Sequence, residues 1–183
     1  ATTDEAVDGH TVMVVLSIPG GGTLANAVTV DAVDAGTGSA TSGSDFTAFG
    51  TQTATFAAGS GDGATQTVTI NVLTDLTVEG NETVDLQLQN VSGPATTGAQ
   101  TTHQPTITDD DTATVAFAGA TSATADETAA GHNVTVTLSI PGGGALENAV
   151  TVDAVDAGTG TATSASDYTA FGTQTATFAV GSG

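Results

Sequence analysis

Carboxylates are the one kind of reactive side chain that this sequence supplies in number. Asp109, Asp110 and Asp111 stand side by side in TITDDDTATV, residues 106–115. Further acids fall at loop-like positions: Glu5 in TTDEAVDG, Asp45 in SGSDF, and Asp75, Glu79 and Glu82 in LTDLTVEGNE. The 183 residues include 20 acidic ones and neither Lys nor Arg, a formal net charge of −20. Two carboxylates about 4 Å apart repel by roughly 1 kcal/mol in water and roughly 4 kcal/mol near a protein surface. Without basic side chains to offset that repulsion, a metal cation is the natural partner. Oxygen donors in a chain without Cys select hard ions, and flexible loops offering six to eight oxygens suit Ca²⁺ better than Mg²⁺.

Other chemistries find less support. His10 and His132 occupy equivalent positions at a strand start and His103 stands apart, so no zinc-type cluster is expected. No nucleophile-elbow pattern accompanies Ser, His and Asp. Paired carboxylates can hydrolyse glycosides, but Trp is absent and no aromatic cluster offers to hold a sugar. The chain is therefore not expected to be an enzyme. DAVDAGTG lacks the closing Glu of an EF-hand, and GSGDG in a single copy reads as a Gly-rich turn. Asp31, Asp34 and Asp62 read as solvated loop acids. No basic patch exists for nucleic acid or an anionic membrane, and no run is long enough to insert into one. The sequons at 81–83, 90–92 and 133–135 permit glycosylation without establishing it.

The elements that must position the acids come from a repeat. Residues 123–183 repeat residues 1–61 at an offset of 122, with 13 substitutions. The substitutions carry structural information. In TVMVVLSI the copies differ at positions 11, 13 and 15 but share Val12/Val134, Val14/Val136, Leu16/Leu138 and Ile18/Ile140. Change on alternate residues marks the solvent face of a strand, and constancy marks its core face. Further period-two strands are expected over 27–33, 51–57, 64–72, 82–90, 104–109 and 112–120, rich in Thr and Val and separated by Gly-rich turns. No stretch shows helical periodicity. Hydrophobic residues make up 38% of the chain, too many for a disordered acidic tail.

About seven short antiparallel strands per unit predict an all-β, Ig-like Greek-key sandwich in tandem repeat. Residues 1–111 read as one sandwich lacking its first strand, and 112–183 as the first part of a second. Incomplete sandwiches expose edges, so the expected partner is self, from adjacent repeats or neighbouring subunits, by strand addition. Residue 1 opens no signal peptide, and the sequence reads as an interior part of a longer chain.

Taken in order, GTGSATSGSDFTAFGTQTATFAAGSG, INVLTDLTVEGNETVDLQLQN and TITDDD resemble the Calx-β domain. That module occurs in sodium–calcium exchanger regulatory regions, integrin β4 and many large bacterial surface proteins. The resemblance implies a seven-stranded sandwich with Ca²⁺ in the loops at one end. By position it implies ligands at Glu5, Asp45, Asp75, Glu79, Asp109, Asp110 and Asp111, with Glu127 and Asp167 in the second copy. Glu82 ranks below these, as the opening of the next strand. The family often has two acids before the VEG segment where this chain has Thr74 and then Asp75, so a single ion is expected. A Ca²⁺-stiffened shaft, stalk or filament of an extracellular bacterial adhesin follows, at the cell surface. The alternative is a module that binds a carbohydrate or host protein through its loops.

Overall fold

The computed structural model describes every residue except 1, 124–127 and 129–130. Its strands are β1 (Thr2–Asp4), β2 (His10–Val15), β3 (Val28–Asp34), β4 (Gln52–Phe56) and β5 (Thr65–Ile70). Next come β6 (Thr77–Val78), β7 (Glu82–Thr83), β8 (Leu86–Gln89), β9 (Thr102–His103) and β10 (Thr106–Thr108). The last are β11 (Thr114–Phe117), β12 (Val136–Ser139), β13 (Ala145–Leu146), β14 (Val150–Ala154) and β15 (Gln174–Phe178). Among the described residues there is no helix. Two compact units form: residues 1–75 with 80–110, and residues 76–79 with 111–183.

In the first unit a four-stranded sheet of order β4-β3-β8-β9 packs against the antiparallel pair β2-β5, and β1-β10-β7 form a three-stranded sheet whose Ile107 joins the same core. One core cluster runs between the layers. Val12, Val14 and Leu16 meet Val30, Ala32, Ala54, Phe56, Val68, Ile70 and Leu86 there. The alternation read from the two copies is the packing alternation: Val12, Val14 and Leu16 are buried, while Met13 is 67% and Val15 58% exposed. The architecture is the all-β sandwich expected from the period-two pattern.

Two expected strands divide. Residues 82–90 become β7 and β8, which lie in different sheets, and 104–109 holds only β10, with β9 just before it. Both breaks fall at one level of the sandwich. Asp85 sits between β7 and β8, and Pro105 between β9 and β10. Val84 N–H donates to the Pro105 carbonyl at 3.1 Å, and Gln104 Nε2 donates to Asp85 at 2.7 Å. Thr37 Oγ1 adds a 2.6 Å bond to the same carboxylate. These donations, Thr37 first and then Gln104, hold the Asp85 carboxyl below the usual carboxylate range. Proline cannot donate to a ladder, so the strand pairings change partners where it stands.

The acids read as solvated loops also hold structure. Asp31 lies on β3 and accepts from Thr53 Oγ1 at 2.6 Å and Asn90 Nδ2 at 3.2 Å. Asp62 accepts the Ile18 N–H at 2.7 Å, and Asp34 the Gly36 N–H at 2.9 Å.

In the second unit β11 pairs with β12, β14 with β15, and β13 with β6. Its turn at 163–168 copies the turn at 41–46: Ala165 N–H donates to Tyr168 O at 2.7 Å, as Gly43 N–H does to Phe46 O. Gly43 has φ of 96°, and Ala165 is held at 69° in its place. A Cβ in that region costs about 1 kcal/mol or more. Ala165→Gly is therefore expected to stabilise the second unit by about 1 kcal/mol. Urea melts that resolve the unit's transition measure it; an unchanged midpoint would rule the strain out.

Candidate metal centre

A parallel pair sets up the acidic end of the first unit. β1 runs beside β10 with Thr3 opposite Ile107 and Asp4 opposite Thr108. Both strands therefore leave the sheet at the same end, and the residues that follow them, Glu5 and Asp109, emerge together. Glu5 N–H continues the ladder to Thr108 O at 3.1 Å. On the other side of β10, antiparallel pairing places Glu82 opposite Ile107. Alternation puts Thr3, Glu5, Ile107 and Glu82 on one face. That face is the inner one: Ile107 and Glu5 are each 2% exposed, and Thr3 8%.

Asp45 reaches the site from a turn. Its N–H donates to Thr41 O at 3.0 Å, and its carboxylate accepts the Thr41 N–H. Leu73 N–H donates to Asp45 O at 2.9 Å, and the neighbouring Phe46 bridges Val72. These bonds pin the turn to the end of β5 and leave Asp45 6% exposed. Thr74, which stands ahead of Asp75 in place of a second acid, donates its Oγ1 to the Glu5 carbonyl at 3.0 Å. It supports the chain at Glu5 by a neutral bond.

Two groups of carboxylates result. Glu5, Asp109 and Asp111 bring one oxygen each within 4.8 Å of one another, and Asp45, Glu79 and Glu82 do the same. Every donor is an anionic oxygen, and the whole sequence contains no Lys or Arg to balance them. Burying unbalanced carboxylates is far costlier than leaving them in water. The donor set therefore fits a hard divalent cation, with bidentate carboxylates able to fill most of six to eight positions. The expectation of a single ion rested on Thr74; the described residues hold two acidic groups.

Asp75 and Asp110 are exposed and belong to neither group. Asp167 is exposed and accepts the Thr163 N–H at 2.6 Å, repeating the Asp45 turn. Glu127 lies outside the described residues. Glu82, ranked low as the opening of a strand, does open β7 and also joins the second group. Its signal was parity with Ile107 across a strand pair whose register the sequence does not display.

Elsewhere in the unit, His10 is half-buried. Burial, followed by the charge of His103, pushes its imidazole below its ordinary value. The folded state therefore binds fewer protons than the unfolded chain, so this contribution is present above the unfolded pKa of about 6.5 and is lost as pH falls below it. A falling melting temperature from pH 7 to 5 is expected, with a shallower slope in His10→Gln. Identical slopes in the two proteins would remove His10 from the account.

No family model and no curated protein matches the chain. Among solved structures it is similar to CBD12 from CALX1.2, with TM-score 0.50 and 24% identity over 60% of this chain and 40% of that one. It is also similar to the calcium binding domain CBD12 of CALX1.1, with TM-score 0.46 and 23% identity over 60% of this chain and 41% of that one. The apo-form Calx CBD1 domain gives TM-score 0.46 and 23% identity over 60% of this chain and 89% of that one. The chain thus matches about two fifths of the length of the first of these. The likeness to CBD12 from CALX1.2 is one of fold: this chain has the β-sandwich fold of that structure.

Proposed function

We propose that the chain is a calcium-binding structural repeat, part of an extracellular shaft, stalk or filament such as that of a bacterial adhesin. The observation that carries the calcium reading is Glu5: a carboxylate 2% exposed, gathered with Asp109 and Asp111, in a sequence without basic side chains. The two acidic groups bind Ca²⁺, which supplies the positive charge that the side chains do not. Glu5, Asp109 and Asp111 hold one ion, and Asp45, Glu79 and Glu82 a second. The β-sandwich fold shared with CBD12 from CALX1.2 supplies the loops at one end that such an assignment needs.

The shaft reading rests on repetition. Near-identical copies multiply length without new chemistry, and their stability adds through neighbours. Because the 109–111 triplet is the covalent passage from one repeat into the next, a bound ion there stiffens the passage, and charge repulsion loosens it without one.

Calorimetric titration of Ca²⁺ into the chain tests the reading. Saturable binding of two ions, lost to a degree in Glu5→Gln and to a degree in Asp45→Asn and weak for Mg²⁺, is expected. No heat beyond dilution at millimolar Ca²⁺ would end it.

A further inference from the structure

Four residues of the first repeat fold with the second. Residues 76–79 group with 111–183, whereas Asp75 before them and Gly80 after them belong to the first unit. What holds them there is a strand pair: β6 runs parallel to β13, with Thr77 opposite Ala145 and Val78 opposite Leu146. Ala145 N–H donates to Leu76 O at 3.2 Å, and Glu147 N–H donates to Val78 O at 3.0 Å. On the other edge of β13, Leu146 N–H donates to Ser182 O at 2.9 Å and Gly181 N–H to Leu146 O at 2.8 Å. One edge of β13 is thus bonded within its own repeat, and the other by the repeat before it.

The first unit displays the same hairpin without that strand. PGGGTLAN at 19–26 is the copy of PGGGALEN at 141–148. Leu24 keeps the bonds within its own repeat: its N–H donates to Ser60 O at 2.9 Å, and its carbonyl accepts from Gly59 N at 2.8 Å. Among the described residues no strand from β1 to β10 pairs with the far edge of this segment. β11, which opens the second repeat, pairs with β12 instead. The edge that β6 takes is therefore claimed by no strand of the repeat itself in either copy.

Burial follows the added strand. Leu138, Val150 and Phe178 are each less buried than their copies Leu16, Val28 and Phe56, but Leu146 is 2% exposed where Leu24 is only half-buried. The third glycine of the hairpin makes the approach possible. A Cβ on Gly144 would stand 1.6 Å from Leu76 O and 2.7 Å from Leu76 C. The Gly144 backbone is not left-handed, so the passing carbonyl is what excludes a side chain. At Gly22, with φ of 110°, nothing lies within 4 Å of the same point.

We propose that residues 76–79 are a strand that one repeat hands to its successor, received by the edge of the next PGGG hairpin through the Ala145 and Glu147 N–H groups. The inference rests on the structural-repeat reading and adds the donor segment, the receiving edge and the glycine that admits it. Strand addition of this kind ties neighbouring repeats by a second, non-covalent link beside the chain itself.

Hydrogen exchange of the whole chain, read at single amides by NMR, tests it. The Ala145 and Glu147 amides are expected to be protected, as are those of Leu146 and Gly181. Gly144→Ala sets a methyl group against the Leu76 carbonyl and leaves every acidic residue in place. It is expected to speed exchange at Ala145 and Glu147 by about tenfold or more, with Leu146 and Gly181 unchanged. Ala145→Pro removes one of the two donors and is expected to release Glu147 in the same way. Free exchange at Ala145 and Glu147 in the wild type, or protection of Glu147 that survives both variants, would overturn the proposal. So would equal loss at all four amides, since the glycine would then serve the hairpin rather than β6. Calcium binding with Ala145 and Glu147 unprotected counts against the handed strand alone. Protection of both in a chain that takes up no calcium upholds the strand and counts against the metal reading alone.

Discussion

Calcium is expected to raise the melting temperature of the first unit by roughly 10 °C or more when it is present at about 100 times its dissociation constant. A ligand that binds only the folded state at that excess adds about 2.7 kcal/mol, and each kcal/mol moves a domain of this size by about 4–8 °C. The prediction has a second half that a generic salt effect would not share. Without calcium, Glu5, Asp109 and Asp111 repel one another across less than 4.8 Å. Glu5→Gln and Asp109→Asn keep the shape of the side chain and remove one charge, so in chelator each is expected to melt at or above the wild type. In calcium each melts below it, because a ligand oxygen has lost its charge. Crossing of the two orders on adding calcium is the signature, read by calorimetry or circular dichroism. Parallel curves, with every variant below wild type in both conditions, would mean that the carboxylates serve the fold by hydrogen bonds alone.

The second large effect is expected at Phe46. Its ring is 1% exposed in the main core cluster, and it follows Asp45 directly. Truncation to Ala removes the buried ring and leaves a cavity, which costs about 3–5 kcal/mol. The same change loosens the turn that delivers the Asp45 carboxylate, through the bridge between Phe46 and Val72. Phe46→Ala is therefore expected to lower the midpoint of urea unfolding steeply and to weaken calcium binding at the Asp45 group. The chain carries its own control. Tyr168 stands at the equivalent turn, only half-buried, with its hydroxyl donating to Asp156. Tyr168→Ala is expected to cost far less. Equal costs at the two positions would show that the ring of Phe46 owes nothing to its burial.

The layers of the sandwich were legible because β-strands write their burial with a period of two. Comparison of the copies sharpened this further: Met13 and Val15 change and face solvent, whereas Val12, Val14 and Leu16 persist and form core. Strand ends and sheet membership were less legible. The run from Glu82 to Gln89 alternates without a visible break, yet Asp85 is drawn aside by Thr37 and Gln104 and the strand changes sheets. Pro105 was the local sign of the matching break. β1 read as loop, since three residues ahead of a turn carry little pattern, and its partner β10 lies more than a hundred residues away. That long-range pairing is also what groups Glu5 with Asp109. Acid type and loop position could suggest a cation; which acids converge depended on strand register, which no short stretch encodes.

The parallel course of β1 and β10 has a mechanical consequence. Tension entering at Thr2 and leaving at Thr108 pulls the two strands past each other along their length. The bonds of that pair, with the Glu5–Thr108 link, are then loaded in shear together, where an antiparallel hairpin pulled from its open end would unzip bond by bond. A chain of such domains under drag would hold its length until a whole clamp gave way.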